Sequence, residues 1–264
     1  MINWYNRSIF DCLSLLFFFM AASLTSLSVG AEQSRLYDAH YQGEIKGFSF
    51  DTVRSLYQED ETTFSFISVS KRPLAYLREG SRMKLLNGVL VPMNYNYRAK
   101  ILGISRDHSI SYDWIMKKAR FERSDKPERN RDLVIGNGYL DPLSMQLEIQ
   151  RAGVQGLDSI KIEYIRKDRD RTETFRRTDT SETIKLDGKT LQTVLYKSLY
   201  KDKTTEVYLV PALSYAIGKI RYVDDEGDEA EVELYKYRVN EEKRSDLTQF
   251  LRSMGRQLEL TSSN

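Results

Sequence analysis

The chain has 264 residues, 41% hydrophobic and 11% aromatic, enough apolar material for one large β domain or two small ones. Its 40 Lys and Arg nearly cancel 38 Asp and Glu, and a net charge of +2 lacks the lopsided footprint of a nucleic-acid binder. The one cysteine, Cys12, lies in the N-terminal apolar segment, which excludes disulfides, thiol catalysis and cysteine-ligated zinc from the rest of the chain.

That segment, residues 13–24, is a short apolar run preceded by Arg7 and followed by Val29 and Ala31 at signal-peptidase spacing. It reads as a signal peptide over 1–31, cleaved after Ala31, leaving 32–264 as a single β-rich domain in the periplasm. The run is shorter than the roughly 20 residues of a spanning helix, and no later stretch would give the mature chain a transmembrane span. Because Asp11 offsets Arg7, an uncleaved leader anchored in the inner membrane is the alternative.

Strands follow. In "YDAHYQGEI" Tyr37, Ala39, Tyr41, Gly43 and Ile45 face one way and the intervening polar residues the other, a period of two. The apolar parity shifts to Phe48 and Phe50 across Gly47, which predicts a bulge or sharp bend where a sheet curls. Residues 61–70 read as a strand, and Asn87-Gly88 predicts a hairpin with a type I′ turn. Ile110, Tyr112 and Trp114 share one face of a long stretch, and 124–132 is a polar loop. In the second half 159–165 alternates, Asp187-Gly188 offers another type I′ turn, and "GKIRYV" pairs with "EAEVELYKYRV" across an acidic turn.

Two helices interrupt this pattern. One, about 141–153, starts with Asp141 as N-cap and Pro142 at the first helical position, with Gly153 placed to end it. The other, about 246–258, carries Leu247, Phe250, Leu251, Met254 and Leu258 as an apolar stripe, with Ser245 as N-cap. The fold class is mainly all-β: a strongly curled antiparallel sheet, an open roll or half-barrel, with a mid-chain and a C-terminal helix.

Chemistry-bearing groups are sparse. His40 and Asp38 share the polar face of the first strand, and His108 follows Asp107 in a turn-like stretch, yet no nucleophile is placed by motif. The acidic turn lacks the alternating spacing of a calcium loop, and "GNGYLD" is too short for a phosphate loop. The sequence therefore predicts no catalytic residue, metal or cofactor. The basic run 117–131 offers a dock for anionic lipid head groups or an acidic partner, against the plainer reading of a solvated surface.

The segments "YDAHYQGEIKGFSF", "NGVLVPMNYNYRAK", "YDW", "GYLDPLSMQLEIQRA", "VYLVP" and "GKIRYVDDEG" occur in an order that resembles the bacterial family called domain of unknown function 3108. The resemblance covers most of residues 36–240, and Asp141-Pro142-Leu143-Ser144 is its most specific point. One departure is Ile217-Gly218 before Lys219, where members commonly have a proline. The resemblance implies an exported, mostly antiparallel β protein of the cell envelope and brings no catalytic residues. A looser likeness, at fold level, is to curved half-barrel envelope proteins that hold acyl chains under helices.

These readings point to a non-catalytic periplasmic protein whose concave sheet face, lined by Tyr41, Phe48, Phe66, Tyr95, Tyr97, Trp114 and Tyr164, binds a hydrophobic or amphiphilic ligand such as a lipid. The competing view is that these aromatics simply fill a barrel. One alternative function is an accessory subunit of an envelope complex, contacting protein partners through the basic segment or the C-terminal helix. Another is a hydrolase of envelope polymers using Asp38, Glu44 or Asp113.

Overall fold

Period-two alternation becomes strands along most of the chain. The computed structural model describes residues 34–45, 48–101, 103–166, 168–180, 182–201, 203–223 and 229–254. A first meander comprises β1 (Ser34–Ile45), β2 (Phe48–Gln58), β3 (Thr63–Arg72), β4 (Ala75–Leu86), β5 (Val89–Ile101), β6 (Ile104–Asp113), β7 (Lys118–Arg123) and β8 (Arg131–Val134). Helix α1 (Ser144–Gln155) leads into β9 (Ser159–Arg166), β10 (Arg169–Thr178), β11 (Thr183–Leu186) and β12 (Lys189–Gln192). Then come β13 (Val194–Tyr200), β14 (Lys203–Val210), β15 (Ala216–Val223), β16 (Glu229–Val239) and helix α2 (Arg244–Ser253).

The two meanders form one 14-stranded antiparallel sheet in the order β8-β7-β6-β5-β4-β3-β2-β1-β16-β15-β14-β13-β10-β9, and β11 and β12 make a separate hairpin. Register shifts leave Leu36 of β1, Met93 of β5, Gly218 of β15 and Tyr235 of β16 as extra residues, bulges that bend strands and add twist. The sheet therefore curls without closing. Among the described residues its edges, β8 and β9, meet through the segment between β8 and α1: Leu140 N–H donates to Glu163 O and Ile165 N–H donates to Leu140 O, both 2.9 Å. An ion pair of 2.5 Å between Arg129 and Asp168 lies beside that seam.

The inward-facing rows make the core. One row crosses seven strands as Tyr37, Leu56, Phe66, Ser81, Tyr95, Ile110 and Phe121, each opposite the next. Ser81 is the one small residue in it, and the start of α1 settles on that dip. Helix α1 buries Leu147, Ile149 and Ala152, and α2 lays Phe250 against Phe64 with ring centroids 4.3 Å apart. Among the described residues no helix is long and apolar enough to cross a membrane.

The turn chemistry behaves as its residues dictate. Asn87 and Gly88 have φ of 51° and 82°, and Asp187 and Gly188 have 50° and 74°, so both dipeptides close two-residue hairpins. Other expectations need correction. Residues 46 and 47 lie outside the described residues, but Ile45 pairs with Phe48, so the parity shift is a strand reversal and not a bend within one strand. His108 lies in mid-strand in β6. Helix α1 runs past Gly153 and ends at Gly156, whose φ of 67° is left-handed. Ser245 lies inside α2, whose start at Lys243 has no side-chain cap; Asn240 caps the preceding 3-10 turn, its side chain accepting from Glu242 N–H, and Leu258 lies outside the described residues.

A charged network fastens the segment leading into β11 to the sheet. Lys219 on β15 donates to Glu182 at 2.9 Å, and Tyr208 donates to Glu182 and Glu206 at 3.0 Å each. The Lys219 hydrogen bond holds Glu182 below its ordinary range, and at Glu206 the hydrogen bonds from Lys197 and Tyr208 outweigh burial. Lys219 is raised: burial works against its charge, but Glu182 and Glu231 prevail. Depressed carboxylates stabilise above their unfolded values and lose that contribution as pH falls through the lower folded ones; a raised lysine loses its contribution as pH rises through its higher folded value. The protection of amides in the β11–β12 hairpin, relative to their intrinsic exchange at each pH, is therefore expected to stay flat from about pH 5 to 10 and to fall below about pH 4.5. In Lys219→Met most of that acid dependence should vanish; an unchanged profile would mean the network does not hold the hairpin.

Candidate functional site

The inward rows do not all meet a helix. Along β4 to β7 a second row reads Glu79, Tyr97, His108, Arg123, and beyond it α1 no longer covers the sheet. There a cavity of about 520 Å³ lies between these strands and β9, β10, β13, β14 and β15 of the other meander. Met145 and Ile149 of α1 form its floor, and Tyr95, Phe121, Tyr164 and Phe175 its inner walls. His108 is stacked on Tyr97 with centroids 4.4 Å apart and lies 5.5 Å from the Phe121 ring.

The two glutamates of the inner wall are satisfied by neighbouring hydroxyls. Tyr95 Oη donates to Glu79 at 2.5 Å, and Glu173 accepts from Tyr164 Oη and from Ser198 Oγ. Burial first, and the neighbouring carboxylate second, push both tyrosine hydroxyls far up, so each stays a donor across the physiological range. The outer rim is basic, with Arg106, Arg123, Arg129, Arg166, Arg171 and Lys203 around the mouth. Arg123 pairs with Asp125 at 2.6 Å and Arg129 with Asp168. The arrangement is an apolar, aromatic well with a cationic lip, which suits an amphiphile.

Three of the aromatics expected to line a ligand site, Tyr95, Tyr97 and Tyr164, come together in this cavity. Tyr41 and Phe66 also face inward, but over the part of the sheet that α1 fills: Tyr41 donates to Ile217 O at 2.9 Å, and the space beside both is only about 10 Å³. Trp114 lies beyond β6, stacked on Tyr112 and donating from Nε1 to Pro92 O at 2.6 Å. The side chain of Phe48 lies outside the described residues. Of the basic run, Arg123 and Arg129 reach the mouth, while Arg120 pairs with Asp132 outside it.

The carboxylates weighed for hydrolysis do not share a cleft. Asp38 accepts from Ser55 Oγ at 2.5 Å and from Arg35 at 2.7 Å; Asp113 caps the β6–β7 turn by accepting from Ile115 and Met116 N–H. Glu44 is exposed on β1. Asp141 is fully buried, with Oδ1 accepting from Leu143 N–H (2.8 Å) and Ser144 N–H (3.0 Å) and Oδ2 from Ser81 Oγ (2.6 Å). Met145 N–H already donates to Asp141 O, so the helical pitch begins at the aspartate. Burial raises the Asp141 carboxyl above its ordinary range against the pull of those hydrogen bonds.

The rim cations Arg106, Arg166, Arg171 and Lys203, and Phe121, Phe175 and Tyr200, were not singled out by sequence. The available signal is the alternation in "RDRTETF", which sends Arg171, Glu173 and Phe175 to one face.

No family model and no curated protein matches the chain. Among solved structures, a β-barrel-like protein of domain of unknown function DUF1849 from Brucella abortus is similar with a TM-score of 0.52 at 14% identity, over 78% of this chain and 98% of that one. A Vibrio parahaemolyticus domain provisionally named for outer membrane lipoprotein sorting covers 81% of this chain and 91% of its own at 10% identity, with a TM-score of only 0.20. The first match speaks to fold alone, the second is too distant to add to it, and neither shows membership of the family that the Asp141-Pro142-Leu143-Ser144 segment resembles. The chain is an open, β-barrel-like antiparallel domain, similar in fold to a protein whose own function is unknown.

Proposed function

We propose that this is a non-catalytic binding protein of the cell envelope, exported by its N-terminal leader, which holds the apolar part of a hydrophobic or amphiphilic molecule such as a lipid in the half-barrel cavity. The observation that carries this reading is the 520 Å³ well itself. Protein interiors pack densely, with few voids larger than a water molecule, yet here the sheet curls around open space faced by the half-buried Leu77, Tyr97, Met145 and Tyr222, with Tyr95, Phe121, Tyr164 and Phe175 packed into the wall behind. The acidic groups in its wall are engaged, Glu79 and Glu173 by tyrosine hydroxyls and Asp168 by Arg129, which supports holding over hydrolysis.

Native mass spectrometry of the protein purified from its own envelope is expected to show co-purifying lipid. Met145→Trp, which puts an indole into the well from a half-buried position, should weaken uptake of a fluorescent fatty acid by about tenfold or more, with little change in thermal unfolding. Full uptake by that variant would sink the cavity as the site.

A second reading, a subunit acting by protein contacts, is favoured by one patch. Ile115, Met116 and Val134 are 93%, 61% and 82% exposed, and Val134 pairs with Lys118 beside the β6–β7 turn. A lipid-free mass accompanied by a stoichiometric partner would support that reading instead.

A further inference from the structure

We infer that a basic hollow next to the cavity mouth is the binding site for an anionic headgroup, a phosphate or a similar oxyanion, on the amphiphile whose apolar part fills the well. This rests on the ligand-binding reading above and names the class of ligand.

The hollow has a volume of about 440 Å³ and is lined by the first residues of β8 and β14, the start of β10, and the end of β13 with Lys201. Arg171, Tyr200 and Lys203 line both it and the main cavity, so the two spaces share a wall. Arg131, Arg169 and Lys201 complete the cationic lining, and Asp170 is the single carboxylate in it. The Tyr200 ring organises the cluster: the Arg171 guanidinium lies 5.2 Å and the Lys201 ammonium 5.4 Å from its centroid. Lys201 is held there by a left-handed backbone, φ 49°, in the turn after β13.

Charge pairing sets this hollow apart from its surroundings. Nearby arginines meet carboxylates: Arg120 with Asp132, Arg123 with Asp125, Arg129 with Asp168. Among the described residues, no carboxylate forms an ion pair with Arg169, Arg171 or Lys201. Gathering like charges around one hollow costs free energy through mutual repulsion, which a bound anion would reverse. Guanidinium groups present parallel N–H donors that fit phosphate oxygens, and the ammonium groups of the two lysines add point charge. A cationic hollow alone would suit any small anion. Its shared wall with an apolar well is what selects an amphiphile, with chain in the well and headgroup on the lip.

The test compares lysophosphatidic acid with a monoacylglycerol of the same acyl chain, two ligands that differ by the phosphate, through displacement of a fluorescent fatty acid. The full-length protein should bind the phosphorylated ligand about tenfold or more tightly than the neutral one, the size of one or two charge-assisted hydrogen bonds. In Arg169→Gln/Lys201→Gln, two residues that line the hollow and not the well, the ratio should fall to near one while monoacylglycerol affinity holds. Should that variant fold poorly, raising the salt on the unaltered protein should erode the same preference. Equal affinity for the two ligands, or a preference that neither substitution nor salt reduces, overturns the headgroup site and leaves the cavity reading standing. Uptake of neither ligand overturns the cavity reading itself. Inorganic phosphate is the remaining arm: competition with lysophosphatidic acid alone supports a headgroup site, and phosphate binding that leaves the lipid undisturbed assigns the hollow to free phosphate and overturns it.

Discussion

Asp141→Ala should lower the unfolding free energy by about 3 kcal/mol, measured by urea denaturation. The carboxylate accepts from two backbone N–H groups of the first turn of α1 and from the Ser81 hydroxyl, all in a site with no solvent exposure. Removing it takes away the helix cap and strands three buried donors, and a dry unsatisfied donor costs more than the hydrogen bond had contributed. Ser81→Ala alone should cost about 1 kcal/mol, and the double variant should lose less than the sum, because the hydroxyl is then no longer orphaned. Asp141→Asn keeps the capping oxygen and should cost under about 1 kcal/mol. A loss as large as alanine's would mean that the negative charge, and not the cap, is what the site requires.

Gly153→Ala tests how closely α1 is pressed onto the second meander. At an exposed helix position this change stabilises by about 1 kcal/mol. Here the opposite sign is expected, a loss of about 2 kcal/mol, because a Cβ would fall 2.6 Å from Leu209 Cδ1 and 2.7 Å from Tyr215 Cδ1. Leu209 has no exposed surface into which to retreat, and the Tyr215 ring is rigid. The contrast is Gly156→Ala, which meets no atom within 4 Å but sits at a φ of 67°, so its cost of about 1 kcal/mol is conformational. A stabilising Gly153→Ala would show that the helix has room to lift from the sheet.

The difference between these two glycines shows what the sequence could and could not disclose. Asp141 was readable as a cap because capping is local: the aspartate, the proline and the serine act within four residues. Gly153 was misread as a helix end because its reason is a contact with Leu209, far along the chain, and local pattern carries no trace of it. The hairpins at Asn87-Gly88 and Asp187-Gly188 were legible for the same reason that Asp141 was. The inward aromatics were legible as a face, since alternation alone sorts Tyr95 and Tyr97 from Asn94 and Asn96. Which of them borders open space was not, because that depends on where α1 lies: it fills the region over Tyr41 and Phe66 and stops short of Tyr97 and Tyr164. The rim cations outside the basic run were hidden differently. Arg171 and Lys203 read as ordinary strand and turn charges until the two hairpins bearing them come together.

The place where the sheet fails to close gives the wall unequal stiffness. The central junction of β1 with β16 is held by nine residue pairs, while the seam at Leu140 has a single bridge with two backbone hydrogen bonds. A ring cut at one point and pinned lightly there behaves as a spring clip, with its compliance concentrated at the cut. Tyr164 stands at that pin and in the wall of the well. A bulky guest pushing outward on that ring loads the weakest line of the structure, and the bore of the half-barrel is set there by two hydrogen bonds and a neighbouring ion pair.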